Sequence, residues 1–113
     1  MANKNSLLQT PPYAVDQALK ALGENLRLAR SRRRLTIADV AEKIGTGPRA
    51  VMEAEKGKTS TAAGVYAALL WAYDLLGPWR ELANPATDEQ GLVLSSSNAK
   101  TRVRRSRRLS GDF

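Results

Sequence analysis

The sequence predicts an all-α fold of five helices set between flexible N- and C-terminal tails. Three observations carry that expectation. Apolar residues recur at three- and four-residue spacing from Leu19 onward. Glycines and a proline cut the middle of the chain, between Gly45 and Gly57, into short pieces. No stretch alternates with period two for long enough to make a convincing strand, Gly91 to Ser95 being the nearest to one.

Residues 1–12 are polar and end in Pro11-Pro12, which predicts a flexible arm. Helical periodicity begins near Tyr13. Leu19, Leu22, Leu26 and Ala29 line one face of the first helix, with Lys20, Glu24, Arg27 and Arg34 elsewhere. Gly23 inside this pattern costs about 1 kcal/mol relative to alanine, so it is expected to separate an N-terminal extension from the helix proper. Thr36 to Asp39, T-I-A-D, reads as a capping box in acidic form, the threonine oxygen taking a first-turn N–H. In the second helix Val40, Ala41 and Ile44 face inward, and Gly45 ends it as a left-handed cap. Pro48, with its fixed φ, suits the first position of a third helix. There Val51 and Ala54 face in, and Gly57 stops the chain again.

Thr59, Ser60 and Thr61 offer an N-cap for a fourth helix that runs to about Leu76. Val65, Ala68, Leu69, Ala72 and Leu76 make one apolar face, while Tyr66, Leu70, Trp71 and Tyr73 make much of the rest apolar too. A surface helix needs one buried stripe, so this one is expected to have two neighbours. Trp71 and Trp79 read as core or dimer contacts. Gly77-Pro78 breaks the fourth helix, and Trp79 to Asn84 reads as a short fifth one, which closes a domain at residues 13–84. From Pro85 the chain turns polar and reaches KTRVRRSRR at 100–108. Like charges at that density repel one another and form no core, so residues 85–113 are expected to be a disordered basic tail.

Composition narrows the function. The 113 residues carry 18 Lys and Arg against 11 Asp and Glu, a net charge of +7 that favours polyanionic partners. With no cysteine and no histidine, thiolate and imidazole metal sites and most nucleophile–base pairs are unavailable. The carboxylates form no evident pair and no glycine loop suited to phosphate is present, so no enzyme, cofactor, metal or small-molecule ligand is expected. No apolar run follows Lys4, and the stretch from Ala62 to Tyr73 is short of the about 20 residues that span a bilayer. These features predict a soluble, cytoplasmic protein without a membrane partner.

Two short helices joined by a tight glycine turn are the pattern of a helix-turn-helix. In that device the first helix lies over the DNA backbone and the second enters the major groove. A groove about 12 Å wide admits one helix, and only its first turn or two reaches base edges. A short helix with both ends fixed meets that requirement.

The stretch LGENLRLARSRRRLTIADVAEKIGTGPRAVMEAEKGKT, Leu22 to Thr59, resembles the lambda-repressor/Cro-type (XRE) DNA-binding domain. The matching features are Leu26, Ala29 and Arg30, then Leu35-Thr36, Ala41 and Gly45, Val51, and Glu55 with Gly57. More broadly, YAVDQALKALGENLRLAR, YAALLWAYDLLGPWRELANPATDEQGL and a basic tail ending in DF are similar to HipB-like antitoxins, which accompany HipA-type kinases. The resemblance implies a lambda-repressor-like fold, double-stranded operator DNA as partner, a homodimer, and a HipA-like kinase toxin bound by the protein.

Carried over by position, it implies that Arg49, Ala50 and Glu53 face the groove, with Pro48 and Met52 at its border. Arg49 is the first candidate for base reading, since a guanidinium bridges guanine O6 and N7. The alternative is that Arg49 and Glu53 simply pair on a solvated face. Thr36, Ile37, Thr46, Lys56 and Lys58 fall where the family meets phosphates, and Arg30 with Glu55 matches a structural ion pair of the family. Ile37 stands where glutamine is common, and Gly47-Pro48 where a polar cap is usual. Both departures bear on sequence-specific readout, and they support an alternative in which the fold serves as a protein-interaction module. Arg32, Arg33 and Arg34 read either as a flank reaching the DNA backbone or as a solvated charge run. For Arg102, Arg104, Arg105, Arg107 and Arg108 three readings stand: a solvating tail, a DNA arm, or a segment that docks on a partner.

Overall fold

Helix formation follows the apolar periodicity and the local capping chemistry, and the computed structural model describes residues 5–97. The helices are α1 (Ser6–Gln9), α2 (Tyr13–Arg32), α3 (Ile37–Ile44), α4 (Pro48–Glu55), α5 (Ala63–Ala72), α6 (Leu76–Trp79) and α7 (Glu89–Ser97), with a 3₁₀ turn at Pro85–Thr87. No strand occurs among the described residues, so the chain is all-α there. Two compact units divide after Trp79. The first holds α1 to α6, and the second holds the 3₁₀ turn and α7. The basic run at 100–108 lies outside the described residues.

The core of the first unit gathers Leu26 and Ala29 from α2, Val40 and Ala41 from α3, Val51 and Ala54 from α4, and Tyr66, Leu69 and Leu70 from α5 together with Tyr73. Leu19, Leu22, Ile44 and Trp79 pack around it, partly buried. α4 lies against α2, α3 and α5 at once, which is what a helix of eight residues needs. Helices this short are marginal in isolation, so their stability comes from the packed face.

Several elements depart from the sequence expectation, each for a physical reason. α2 runs unbroken through Gly23, and the residue is glycine for packing: a Cβ there would stand 2.6 Å from the Glu55 carbonyl oxygen and 2.7 Å from that of Ala54. The glycine is a contact point between α2 and the end of α4. The residues before Tyr13 include α1, which Asn5 caps by accepting from the Leu7 N–H at 3.1 Å. α5 starts after Ala62 with no side-chain cap, so Thr59, Ser60 and Thr61 do not serve as its N-cap.

The buried stripe of α5 also differs from the one read from the sequence. Tyr66, Leu69, Leu70 and Tyr73 point inward, and Trp71 is 57 % exposed. A helix apolar all round gives no periodic signal, and here the tyrosines select the inner face. The Tyr66 hydroxyl donates to the Lys58 carbonyl at 2.8 Å, and the Arg33 guanidinium lies 5.4 Å from the centre of the Tyr73 ring. Gly77-Pro78 lies inside α6 instead of ending a helix, since Pro78 falls in a first turn whose N–H groups have no intrahelical partner anyway. Arg80 to Ala83 form turns, with Ala83 at φ 59°, so the short helix falls earlier than Trp79 to Asn84.

In the second unit, Asn84 caps the 3₁₀ turn by accepting from the Ala86 N–H at 2.9 Å. Asp88 accepts from the Gly91 N–H at 3.0 Å at the start of α7. Gly91 to Ser95 is therefore helical, and so is part of the segment read as a disordered tail. No helix among the described residues is long and apolar enough to cross a membrane.

Gly23 gives a test that separates propensity from packing. By intrinsic propensity Gly23→Ala stabilises a helix by about 1 kcal/mol. Against the α4 carbonyls the added methyl is expected to cost about 1–3 kcal/mol instead, read as a lowered urea midpoint with an unchanged slope.

Candidate nucleic-acid interface

The ends of α3 and α4 are set by local chemistry. Thr36 Oγ1 accepts from the Asp39 N–H at 3.0 Å, and the Thr36 N–H donates to Asp39 Oδ2 at 3.0 Å, so the capping box is complete. Those hydrogen bonds, from the Thr36 backbone first and its side chain second, hold the Asp39 carboxyl below its usual value. At the other end Gly45 takes the left-handed conformation, φ 81°, and the N–H groups of Gly45 and Thr46 both donate to the Ala41 carbonyl at 2.9 Å. Gly47 then precedes α4 with no side-chain cap, and Pro48 opens the helix. The N–H groups of Arg49 and Ala50 thus end the first turn without a capping side chain.

α4 is held at its far end by a seam with α2. Gly57, at φ 70°, has no room for a side chain: a Cβ would stand 2.6 Å from the Lys20 Cα. Beside that approach Arg30 Nε donates to Glu55 Oε2 at 2.7 Å and Arg30 Nη2 to Oε1 at 3.0 Å, while Nη1 donates to the Leu35 carbonyl at 3.0 Å. The pair is largely covered, with side chains 16 % and 7 % exposed, and the bond to Glu55 raises the Arg30 pKa. The fork fixes α4 about its own axis relative to α2, as the sequence reading of Arg30 and Glu55 expects.

With Val51 and Ala54 buried, Pro48, Arg49 and Met52 are left on the outer face of α4. The Arg49 side chain is 88 % exposed, and its Nε lies 3.2 Å from Glu53 Oε2. Lys58 Nζ approaches the same oxygen at 3.8 Å. Glu53 thus bridges two of the cations singled out in the sequence. A pair this open is worth a few tenths of a kcal/mol, which a stronger anion displaces. Ala50 and Thr46 are half-buried, and Lys56, the C-cap of α4, is exposed.

Two sequence-named residues have partners within the protein that the sequence does not reveal. Ile37, first residue of α3, packs its side chain against the core, which leaves its backbone N–H as the polar group it presents at the helix start. Arg33, though exposed, has its guanidinium tied to the protein: Nη1 donates to the Ala29 carbonyl at 2.9 Å and Nη2 to the Tyr73 carbonyl at 3.0 Å, closing the end of α5. Sequence reasoning also passed over Gly23 as a packing residue. Its signal was a glycine amid a strong apolar helical pattern, which is tolerated where another backbone comes close. Arg102, Arg104, Arg105, Arg107 and Arg108 lie outside the described residues.

A helix-turn-helix is therefore built at α3 and α4. Residues 21–83, more than half of the chain, match the helix-turn-helix domain family, and the chain belongs to that family of DNA-binding regulatory domains. No curated protein and no solved structure matches it.

Two outcomes test this geometry. Glu55→Ala leaves the Arg30 guanidinium covered and unpaired, and is expected to cost about 3–5 kcal/mol in urea unfolding. The Asp39 carboxyl has a lowered native pKa, so its contribution is present above the usual aspartate range and is lost as pH falls through the native value. Asp39→Asn is expected to flatten the acid limb of stability against pH in that window.

Proposed function

We propose that the protein is a transcriptional repressor that reads operator DNA through α4 and acts as the antitoxin of a HipBA-like operon, repressing its own promoter and binding a HipA-like kinase toxin. The observation that carries the DNA half is the outward, 88 % exposed Arg49 side chain in the first turn of a helix opened by Pro48 and anchored at its far end. Arg49 reads a base, Pro48, Ala50 and Glu53 line the contact, and Thr36, Thr46, Lys56, Lys58 and the Ile37 N–H meet phosphates. Exposed Leu28, Trp71 and Leu75 support a homodimer, which places two half-sites one helical turn, roughly 34 Å, apart. The toxin half rests on the likeness of the Tyr66 to Leu92 block and its flanks to HipB-like antitoxins.

A second reading is a protein-interaction module with little specific readout. The inward packing of Ile37 and the uncapped Gly47 favour it, because both remove a polar side chain from the DNA face.

Binding to the gene's own upstream duplex, over a salt series and against scrambled duplex, separates the two. Arg49→Ala is expected to lose about 1–3 kcal/mol on the cognate duplex and to relax preference at one base step. Lys58→Ala is expected to weaken cognate and scrambled duplex alike and to lower the salt slope by about one. Equal affinity of the native protein for both duplexes leaves the interaction module as the function.

A further inference from the structure

A cleft of the first unit runs beside the C-terminal end of α4. It is lined by Leu8, Gln9 and Pro11, by Asp16 and Lys20 of α2, and by the segment from Lys56 to Ser60. Three of its residues are lysines, against one carboxylate. Their convergence follows from the backbone, not from side-chain conformation. Gly57 lies between Lys56 and Lys58 in sequence and packs directly on the Lys20 Cα, so three lysine stems start from one contact point. The Thr59 and Ser60 hydroxyls are on the same wall.

We propose that this cleft receives the sugar–phosphate strand flanking the recognition helix, with Lys20 a phosphate contact. This inference rests on the DNA-binding reading of α4 and extends its footprint to a residue outside the 21–83 family match. The glycine contact fixes the base of Lys20 to the end of α4, so any strand that Lys56 and Lys58 engage passes within reach of a third ammonium. Lys20 Nζ lies 3.1 Å from Asp16 Oδ2, with the two side chains 58 % and 31 % exposed. An ammonium has three donors, so Lys20 keeps the aspartate and still offers a proton to a phosphate oxygen. Asp16 in turn tempers the charge of the cleft.

The experiment uses the full chain, the upstream duplex and a scrambled duplex of equal length, with affinity followed against salt. Lys20→Gln removes the charge while keeping a polar side chain, and is expected to lower the slope by about one and the affinity by roughly eightfold at 0.1 M salt, the counterion-release value for one phosphate, on both duplexes. Asp16→Asn is expected to tighten both duplexes. An unchanged slope in Lys20→Gln, or a loss confined to one sequence, overturns the cleft as a backbone site while the native protein still prefers its own duplex. Loss of that preference in the native protein strikes the DNA reading instead, so the two failures are distinct.

Discussion

The contact on which the rest depends is the backbone-tight seam between α2 and the end of α4. At Gly23 and Gly57 the two segments approach until no side chain fits between them, and Arg30 with Glu55 closes the same seam by a covered two-point fork. An eight-residue helix contributes little to its own stability. Its angle is therefore a property of what holds it, and here that is steric exclusion by carbonyl groups together with one charged pair. The ion pair alone is weak evidence for stability, because desolvation offsets much of its attraction. Its geometric value is larger: a planar guanidinium accepts a carboxylate in few orientations.

The faces of α4 follow from that anchoring. Once Val51 and Ala54 turn inward, Arg49 and Met52 have no choice but the outer side, and the helix start is left with N–H groups that no side chain caps. Two polar side chains usual at this edge are missing, since Ile37 is drawn to the core and Gly47 has none to offer. In the proposed complex the backbone N–H groups of the two helix starts take up part of that role, aided by the positive end of each helix dipole. Backbone donors hold a phosphate but do not read a base. Sequence discrimination then falls mainly on Arg49 and on the shape of the duplex.

What was legible in the sequence is what local chemistry decides. The T-I-A-D box, the left-handed Gly45, Pro48 at a helix start and the stop at Gly57 each act within a turn or two of chain, and all four stand in the structure as read. The Arg30–Glu55 pair was legible only through the family pattern, because residues so far apart in sequence carry no local signal. Features set by distant partners were not legible. Gly23 looks like a helix break until the Ala54 and Glu55 carbonyls are beside it. Arg33 looks like one member of a charge run until the Tyr73 carbonyl, forty residues on, claims it. In α5 apolar residues on every side erase the periodic cue, and in α6 the same Gly-Pro pair that often ends a helix begins one.

The seam also ties stability to recognition in a way that changes how variants are sorted. In the proposed complex, tilting α4 by loosening Gly23 or Glu55 moves Arg49 without removing any proposed DNA contact, so such a change acts on specific affinity through geometry. Phosphate contacts tolerate that tilt better than base contacts, since an ammonium is a point charge on a flexible stem while a guanidinium must meet two base acceptors in one plane. On the proposed assignment a seam variant loses discrimination before it loses attraction to DNA, whereas removal of a surface lysine does the reverse. The ratio of cognate to scrambled affinity, and not either value alone, distinguishes a misaligned recognition helix from a weakened one.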